Sequence, residues 1–204
     1  MSGQDMWRIE NSWFEKGIRV ICGVDEAGRG PLAGPVCAAA VILPPNMEIP
    51  GLNDSKKLSD KKRRELFPII KEQAVAYGIA MVDHETIDSI NILQATYLAM
   101  KNAIAQLPVK PELALVDGNR CSDFGVPVET VVHGDSLSAS IAAASVLAKV
   151  TRDDYMLKMA EEYPGYGFEI HKGYGTKAHY EALRQLDASP IHRMSFLKKF
   201  YGRE

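Results

Sequence analysis

The segment Val20–Pro35, Val-Ile-Cys-Gly-Val-Asp-Glu-Ala-Gly-Arg-Gly-Pro-Leu-Ala-Gly-Pro, constrains the chain more than any other. It opens as an apolar run, which reads as a buried strand. Where the run stops, two acids stand side by side, Asp25 and Glu26. Such a pair costs free energy unless water, a cation or a hydrogen-bond donor meets it. Gly28, Gly30 and Gly34 then surround Arg29, with Pro31 and Pro35 between and after them. Glycine lets a backbone approach a ligand closely and turn its N–H groups toward phosphate oxygens. Arg29 adds a planar fork of donors. One short segment thus holds acids able to bind a cation and a loop able to hold a phosphate. A Gly-rich turn carrying two solvated acids is the alternative.

The remaining chain sets the context. Its 204 residues suit one domain with a small appendage, here an N-terminal extension (1–18) before a main domain (19–204). A net charge of −2 excludes a generally basic nucleic-acid coat, so any nucleic-acid surface must be a local patch. Cys22, Cys37 and Cys121 are odd in number and lack CxxC spacing, against a disulfide framework or a zinc site. Asp5, Glu10 and Glu15 break up the N-terminus, which does not read as a signal peptide. The run Val36 to Leu43 is too short to span a bilayer. A cytoplasmic, membrane-free protein with reduced cysteines is expected, and nothing demands more than a monomer.

In order, the pattern predicts a docked amphipathic helix around Trp7, Ile9, Trp13 and Phe14, with an exposed interaction helix as the alternative. A strand follows over about 19–25, then an antiparallel partner over Val36 to Leu43 ended by Pro44-Pro45. Ser59 caps a helix from Asp60 that should kink or break near Pro68. Tyr77 to Val82 reads as a strand. Asp83 or Thr86 starts a short helix, and a longer one runs from Asn91 or Ile92 to Leu107. Leu113 to Asp117 and Pro127 to His133 read as strands. A long Ala- and Ser-rich helix spans Leu137 to Tyr163, a Gly- and Tyr-rich loop fills Pro164 to Gly175, and Thr176 caps a last helix to Asp187. Strands alternating with helices argue for an α/β domain.

Four acids then converge on paper. Asp25 and Glu26 end one apolar strand, Asp117 ends another, and Asp135 sits in a Gly-Asp-Ser turn before the long helix. They share a site only if the two strands are neighbours. Asp25 and Glu26 point to opposite faces unless their strand bends, which Gly28 would allow. All-oxygen ligands suit Mg²⁺ or Mn²⁺ rather than Zn²⁺. Two such ions roughly 3.5–4 Å apart serve phosphodiester hydrolysis. Lys56, Lys57, Lys149, Arg152, His171 and Tyr174 surround the acids in sequence. Each also has an ordinary reading, as a solvated face, a helix ion pair with Asp153 or Asp154, or a locally packed loop residue.

Taken together these motifs resemble bacterial ribonuclease HII. The matching stretches are Gly23 to Pro31, Leu52 to Leu58, Val116-Asp117-Gly118, Gly134-Asp135-Ser136, Ala143 to Asp153, His171-Lys172-Gly173-Tyr174 and Pro190 to Phe196. The resemblance implies an RNase H-like fold, a five-stranded mixed sheet flanked by helices with a small C-terminal helical part. It implies cleavage of the RNA strand of RNA–DNA hybrids, and incision 5′ of single ribonucleotides in duplex DNA, leaving 3′-hydroxyl and 5′-phosphate ends. The family's metal-binding acids fall on Asp25, Glu26, Asp117 and Asp135. Gly28, Arg29 and Gly30 would read the ribose 2′-OH, and Tyr174 would stack at the RNA–DNA junction. Asn53, Ser55 and Lys56 match duplex-contacting positions, and Ser145 and Lys149 match the helix near the phosphate backbone. Either metal would serve as cofactor, and a sliding clamp is a candidate partner.

Two alternatives stay open, a non-catalytic hybrid-binding module and a Mg²⁺-dependent small-molecule phosphatase. The related ribonuclease HIII carries an extra N-terminal domain that about 18 residues cannot hold. The chain departs from the family at His133, where lysine is usual before the Gly-Asp-Ser turn. The cation there becomes pH-dependent near neutrality. His133→Lys should change activity little at pH 8; a loss beyond about tenfold in a cleavage assay would show that this position is not tolerant.

Overall fold

The computed structural model describes residues 6–52 and 58–202. Five strands form one mixed sheet: β1 (Ile21–Ala27), β2 (Val36–Ile42), β3 (Ala76–Val82), β4 (Leu113–Asp117) and β5 (Val128–Val131), in the order β3-β2-β1-β4-β5. β1 pairs antiparallel with β2 and parallel with β4. β2–β3 is antiparallel and β4–β5 parallel. This is the expected five-stranded mixed sheet, and β1 and β4 are neighbours, as a shared acid site requires.

Helices cover both faces, which explains why β2 reads as an unbroken apolar run. Val36, Ala38 and Ala40 face α3 (His84–Ala105), meeting Ile87, Ala95 and Ala99. Cys37, Ala39 and Val41 face the other way, onto α2 (Asp60–Gln73) and α4 (Ala139–Glu162) through Leu66, Ile70, Ala143 and Leu147. The small residues of α4 let it lie directly on β1. A Cβ at Gly23 would stand 2.1 Å from the Ser140 carbonyl carbon. α4 thereby carries Ser145 and Lys149 to a fixed height above β1.

Several boundaries differ from expectation. β1 begins two residues late and runs through both acids to Ala27. α2 continues through Pro68, which lies on the exposed face, where water can take the carbonyl that a missing N–H leaves. The short helix followed by a longer one is as expected: α3 is two helical pieces meeting at Asn91 (φ 66°), whose side chain accepts from the N–H groups of Leu93 and Gln94 as a second cap. Asp83 caps the first piece and Ser138, one residue after the expected start, caps α4. The Gly- and Tyr-rich loop contains a short helix, α5 (Phe168–His171), before α6 (Lys177–Leu186), which Thr176 caps as expected.

The N-terminal helix α1 (Arg8–Phe14) is docked. Trp7 Nε1 donates to the Met47 carbonyl at 2.9 Å and Trp13 Nε1 to Glu129 at 2.6 Å. Glu10 is buried at the start of α4, accepting from Ser138 Oγ at 2.6 Å and Ser140 N–H at 3.1 Å. Burial raises its pKa against those two donors. Among the described residues no helix is long and apolar enough to cross a membrane.

The C-terminal helices enclose their own core, in which Phe168, Leu183, Ile191 and Leu197 pack against Leu32 and Met156. His171, His179 and His192 are buried beside it. Burial pushes His179 and His192 each down to about 4. An unfolded chain takes up these protons near pH 6.5. Between pH 6.5 and 4 the unfolded state therefore binds more protons, and this contribution to stability is lost as pH falls. Glu10, with its raised pKa, works in the opposite sense, so the comparison needs a variant. Urea unfolding midpoints of the native chain should fall more steeply from pH 6.5 to 4.5 than those of His179→Gln; parallel slopes would contradict the buried neutral imidazole.

Candidate active site

The site begins where the sheet splits. β1–β4 pairing runs from Ile21↔Leu113 to Val24↔Val116. Beyond that point β1 stays with β2 as far as Ala27↔Cys37, while β4 stays with β5 to Asp117↔Val131. The divergence opens a cleft of about 220 Å³ lined by Asp25 and Glu26 from β1 and Asp117 from β4. The expectation that Asp25 and Glu26 end their strand is corrected: they lie within it. β1 keeps its register with β2 through both acids, so the departure of β4, rather than a turn at Gly28, lets neighbouring side chains reach one opening.

Asp25 is the buried member, 3% exposed. Burial raises its pKa well above the usual carboxylate range, and the charges of Glu26 and Asp117 raise it further. The Ser145 hydroxyl and the Glu26 N–H, 2.7 Å from Asp25 Oδ1, oppose that rise by hydrogen bonding. Asp117 Oδ1 accepts from the Gly134 N–H at 2.7 Å. Asp135 follows that glycine in a short 3-10 turn and is buried. Three of the four expected acids thus share the opening, and the fourth lies one residue from the contact that anchors Asp117.

Among the described residues, no three Asp, Glu, His or Cys side chains already surround a point where a cation would sit. The donor set nevertheless suits a hard divalent ion. It is oxygen-only, and Asp25 ionises against two like charges that such an ion would neutralise.

The Gly-Arg-Gly loop after β1 is held from beneath by two arginines whose side chains are fully buried. Arg193 donates to the carbonyls of Gly28 (2.6 Å), Arg29 (3.0 Å), Pro31 (2.9 Å) and Gly34 (2.9 Å). Arg152 donates to Ala33 (3.1 Å), Pro35 (2.9 Å) and, across the cleft wall, Lys172 (3.0 Å). Gly28 has φ +95°, and a Cβ there would lie 2.0 Å from Arg152 Nε, so only glycine fits. Burial pushes Arg193 down to about 9, with Arg152 adding repulsion; burial lowers Arg152 as well. Its carbonyls are drawn to the arginines, and Gly28, Arg29 and Gly30 line the cleft. Among the described residues, none accepts a hydrogen bond from the N–H of Gly28, Arg29 or Gly30. The Arg29 side chain rests on Glu26 at 3.3 Å.

Ser145, Lys149 and Tyr174 also line the cleft, the Tyr174 ring next to Gly30, where a Cβ would lie 3.6 Å from its Cε1. Lys149 Nζ pairs with Asp153 at 2.8 Å and lies 5.9 Å from the Tyr174 ring centroid. Both readings of Lys149, helix ion pair and cleft cation, therefore hold at once. Arg152, grouped in the sequence with the exposed cations, is instead scaffold. Arg63 also lines the cleft and was not anticipated. Its position follows from the packing of α2 on α4, which local pattern does not encode. Asn53, Ser55 and Lys56 lie outside the described residues. His133 is exposed in the left-handed region (φ 57°) before the Asp135 turn.

Replacing Arg193 by lysine keeps a positive charge but removes the fork that serves four carbonyls. Arg193→Lys should destabilise the chain by about 2–4 kcal/mol through the acceptors left buried, read as a lower urea midpoint; an unchanged midpoint would show that the fork is dispensable.

Comparison with known proteins places this geometry. A family model for ribonuclease HII matches residues 22–199. The ribonuclease HII of Dechloromonas aromatica (strain RCB) is 60% identical over 179 residues, covering 88% of this chain and 91% of the relative. That of Endomicrobium trichonymphae is 55% identical over 193 residues, covering 94% and 92%. Among solved structures, ribonuclease H2 from Pyrococcus horikoshii OT3 has a TM-score of 0.73 at 25% identity, covering 91% of this chain and 100% of that one. The RNase HII solved in a complex with PCNA from Archaeoglobus fulgidus has a TM-score of 0.70 at 27% identity, covering 86% and 94%. The acid cleft, the braced glycine loop and these matches lead to one conclusion: the chain belongs to the ribonuclease HII family, metal-dependent nucleases that cleave the RNA strand of RNA–DNA hybrids.

Proposed function

We propose that this chain also incises duplex DNA on the 5′ side of a single embedded ribonucleotide, leaving 3′-hydroxyl and 5′-phosphate ends. One observation carries this reading: three of the acids, Asp25, Glu26 and Asp117, and the Gly28-Arg29-Gly30 loop line one opening. RNA differs from DNA at the 2′-OH, so an enzyme that acts on one ribonucleotide must contact that group. Gly28, Arg29 and Gly30 offer donors at a fixed position without reading any base edge. Tyr174 faces them with a ring able to stack on the sugar or base. Lys149 and Ser145 meet the backbone phosphate from α4, and Asn53, Ser55 and Lys56 contact the duplex.

Asp25, Glu26, Asp117 and Asp135 are the residues that would hold Mn²⁺ or Mg²⁺. Such ions, when bound, would supply charge stabilisation at the phosphate and lower the pKa of a bound water. The chain's own part is to orient. The Gly134 N–H fixes the Asp117 carboxylate, Ser145 fixes Asp25, and the braced loop sets where the ribose stands. A cleft of about 220 Å³ is smaller than the roughly 300–1,000 Å³ typical of enclosed small-molecule sites. It suits one junction of a long polymer better than a free nucleotide, which weighs against the phosphatase alternative. The Archaeoglobus relative solved with PCNA supports a sliding clamp as a partner. A cytoplasmic, monomeric enzyme acting away from membranes completes this reading.

The test is an end-labelled DNA duplex with one ribonucleotide, incubated with Mg²⁺, Mn²⁺ or chelator. A single 5′ cut, lost with chelator, is expected. Binding without a cut would favour the hybrid-binding module, and no binding would remove the substrate assignment. Asp117→Asn should lower turnover by at least about a thousandfold while duplex affinity stays within about threefold; near-normal turnover would exclude Asp117 from the reaction.

A further inference from the structure

Three imidazoles lie behind Tyr174. His171 stacks on His179 with ring centroids 4.4 Å apart, and His179 Nε2 is 2.9 Å from His192 Nε2. Two facing ring nitrogens hold only if one donates and the other accepts, so the contact fixes a direction. Both ends of the chain give the same direction. At one end His179 Nδ1 faces the Tyr174 carbonyl at 3.0 Å, a pure acceptor, so His179 carries its proton on Nδ1. Its Nε2 must then accept. At the other end His192 Nδ1 meets the Ser189 N–H at 2.9 Å and the Ser189 hydroxyl at 2.8 Å, both able to donate, and the Ser189 carbonyl only at the longer 3.3 Å, so His192 carries its proton on Nε2 and donates to His179. His179 and His192, pushed down to about 4, stay neutral at working pH, as this arrangement needs.

We infer that His192 and His179 are positioning residues for Tyr174, transmitting one fixed hydrogen-bond direction from the Ser189 backbone to the Tyr174 carbonyl. The inference rests on the reading of Tyr174 as a substrate contact. The Thr176 N–H shares that carbonyl at 2.8 Å, so the strut sets the orientation of a loop already closed there. Arg193 follows His192 and holds the glycine loop from the same side. One dipeptide thus ties two cleft-lining segments: His192 reaches the Tyr174 segment through His179, and Arg193 the glycine loop. The Leu32 N–H also donates to the Gly173 carbonyl at 2.8 Å, so this buried, proton-ordered element adds to a direct backbone tie in fixing how the tyrosine segment sits against the glycine loop.

Two substitutions separate positioning from bulk. His192→Gln places an amide nitrogen where Nε2 was and keeps the donation to His179. His192→Asn keeps the Ser189 contact and stops short of His179. His192→Asn should raise KM for the ribonucleotide duplex about tenfold, the worth of one good buried hydrogen bond, with kcat within about twofold. His192→Gln should stay within about threefold of native. In a Tyr174→Ala background His192→Asn should add nothing further. Equal effects of the two substitutions, or an additive effect in that background, would overturn the inference. A silent Tyr174→Ala would remove the substrate role of Tyr174 and the inference with it. A clear Tyr174→Ala effect beside a silent His192→Asn would remove the inference alone. Independently of folding of any variant, ¹⁵N shifts of the native imidazoles should show His192 protonated on Nε2 and His179 on Nδ1; the reverse in either ring would overturn it.

Discussion

Everything at the cleft depends on two guanidinium groups buried, among the described residues, without a carboxylate in hydrogen-bond contact. Arg152 and Arg193 make seven hydrogen bonds to backbone carbonyls, six of them in residues 28–35. Removing a charge from water costs several kcal/mol unless dipoles replace the lost hydration. Here the loop's carbonyls are those dipoles. The exchange works in both directions. The arginines stay charged in the interior only because the loop curls around them, and the loop keeps its carbonyls inward only because the arginines are there. The braced loop lines the cleft in one fixed conformation as a consequence. Side-chain readers would each have to be ordered on binding, whereas the loop's backbone donors are fixed before the ligand arrives.

The second constraint is the parting of β1 and β4. Parallel strands that stayed paired past Val24↔Val116 would have closed the opening on which Asp25, Glu26 and Asp117 meet. Like charges gathered there destabilise one another, most clearly at Asp25. The chain tolerates this arrangement because α4 lies against β1 at Gly23 and the C-terminal core clamps the loop from behind. The same principle extends to the histidine strut, in which a buried polar chain with every partner supplied orders the wall opposite the acids.

Much of this was legible in the sequence, for identifiable reasons. β4 read correctly because an apolar run with a terminal acid is a local signal. Ser59 and Thr176 read as caps because the capping bond spans only three residues. The acids and the Gly-Arg-Gly motif marked the site. Long-range partnership was the hidden part. Arg152 reads as an exposed helix cation until the carbonyls of residues 33, 35 and 172 come to it. Asp135 looks equivalent to Asp117 in sequence, yet it is buried in a 3-10 turn whose Gly134 N–H holds the Asp117 carboxylate, a link that local pattern does not show. Pro68 looks like a helix break because sequence does not say that its face is exposed. α5 is hidden in a Gly-rich stretch because its stability comes from Phe168 in the C-terminal core, not from its own four residues.

The central claim is that the braced loop presents backbone donors to a ribose hydroxyl. The direct measurement follows the amide resonances of Gly28, Arg29 and Gly30 as two duplexes are added under chelator, one with a single ribonucleotide and one all DNA. The account requires these three amides to shift with the ribonucleotide duplex and to stay near their free positions with the DNA duplex. Equal shifts with both, or three unmoved amides while the rest of the cleft responds, would contradict it.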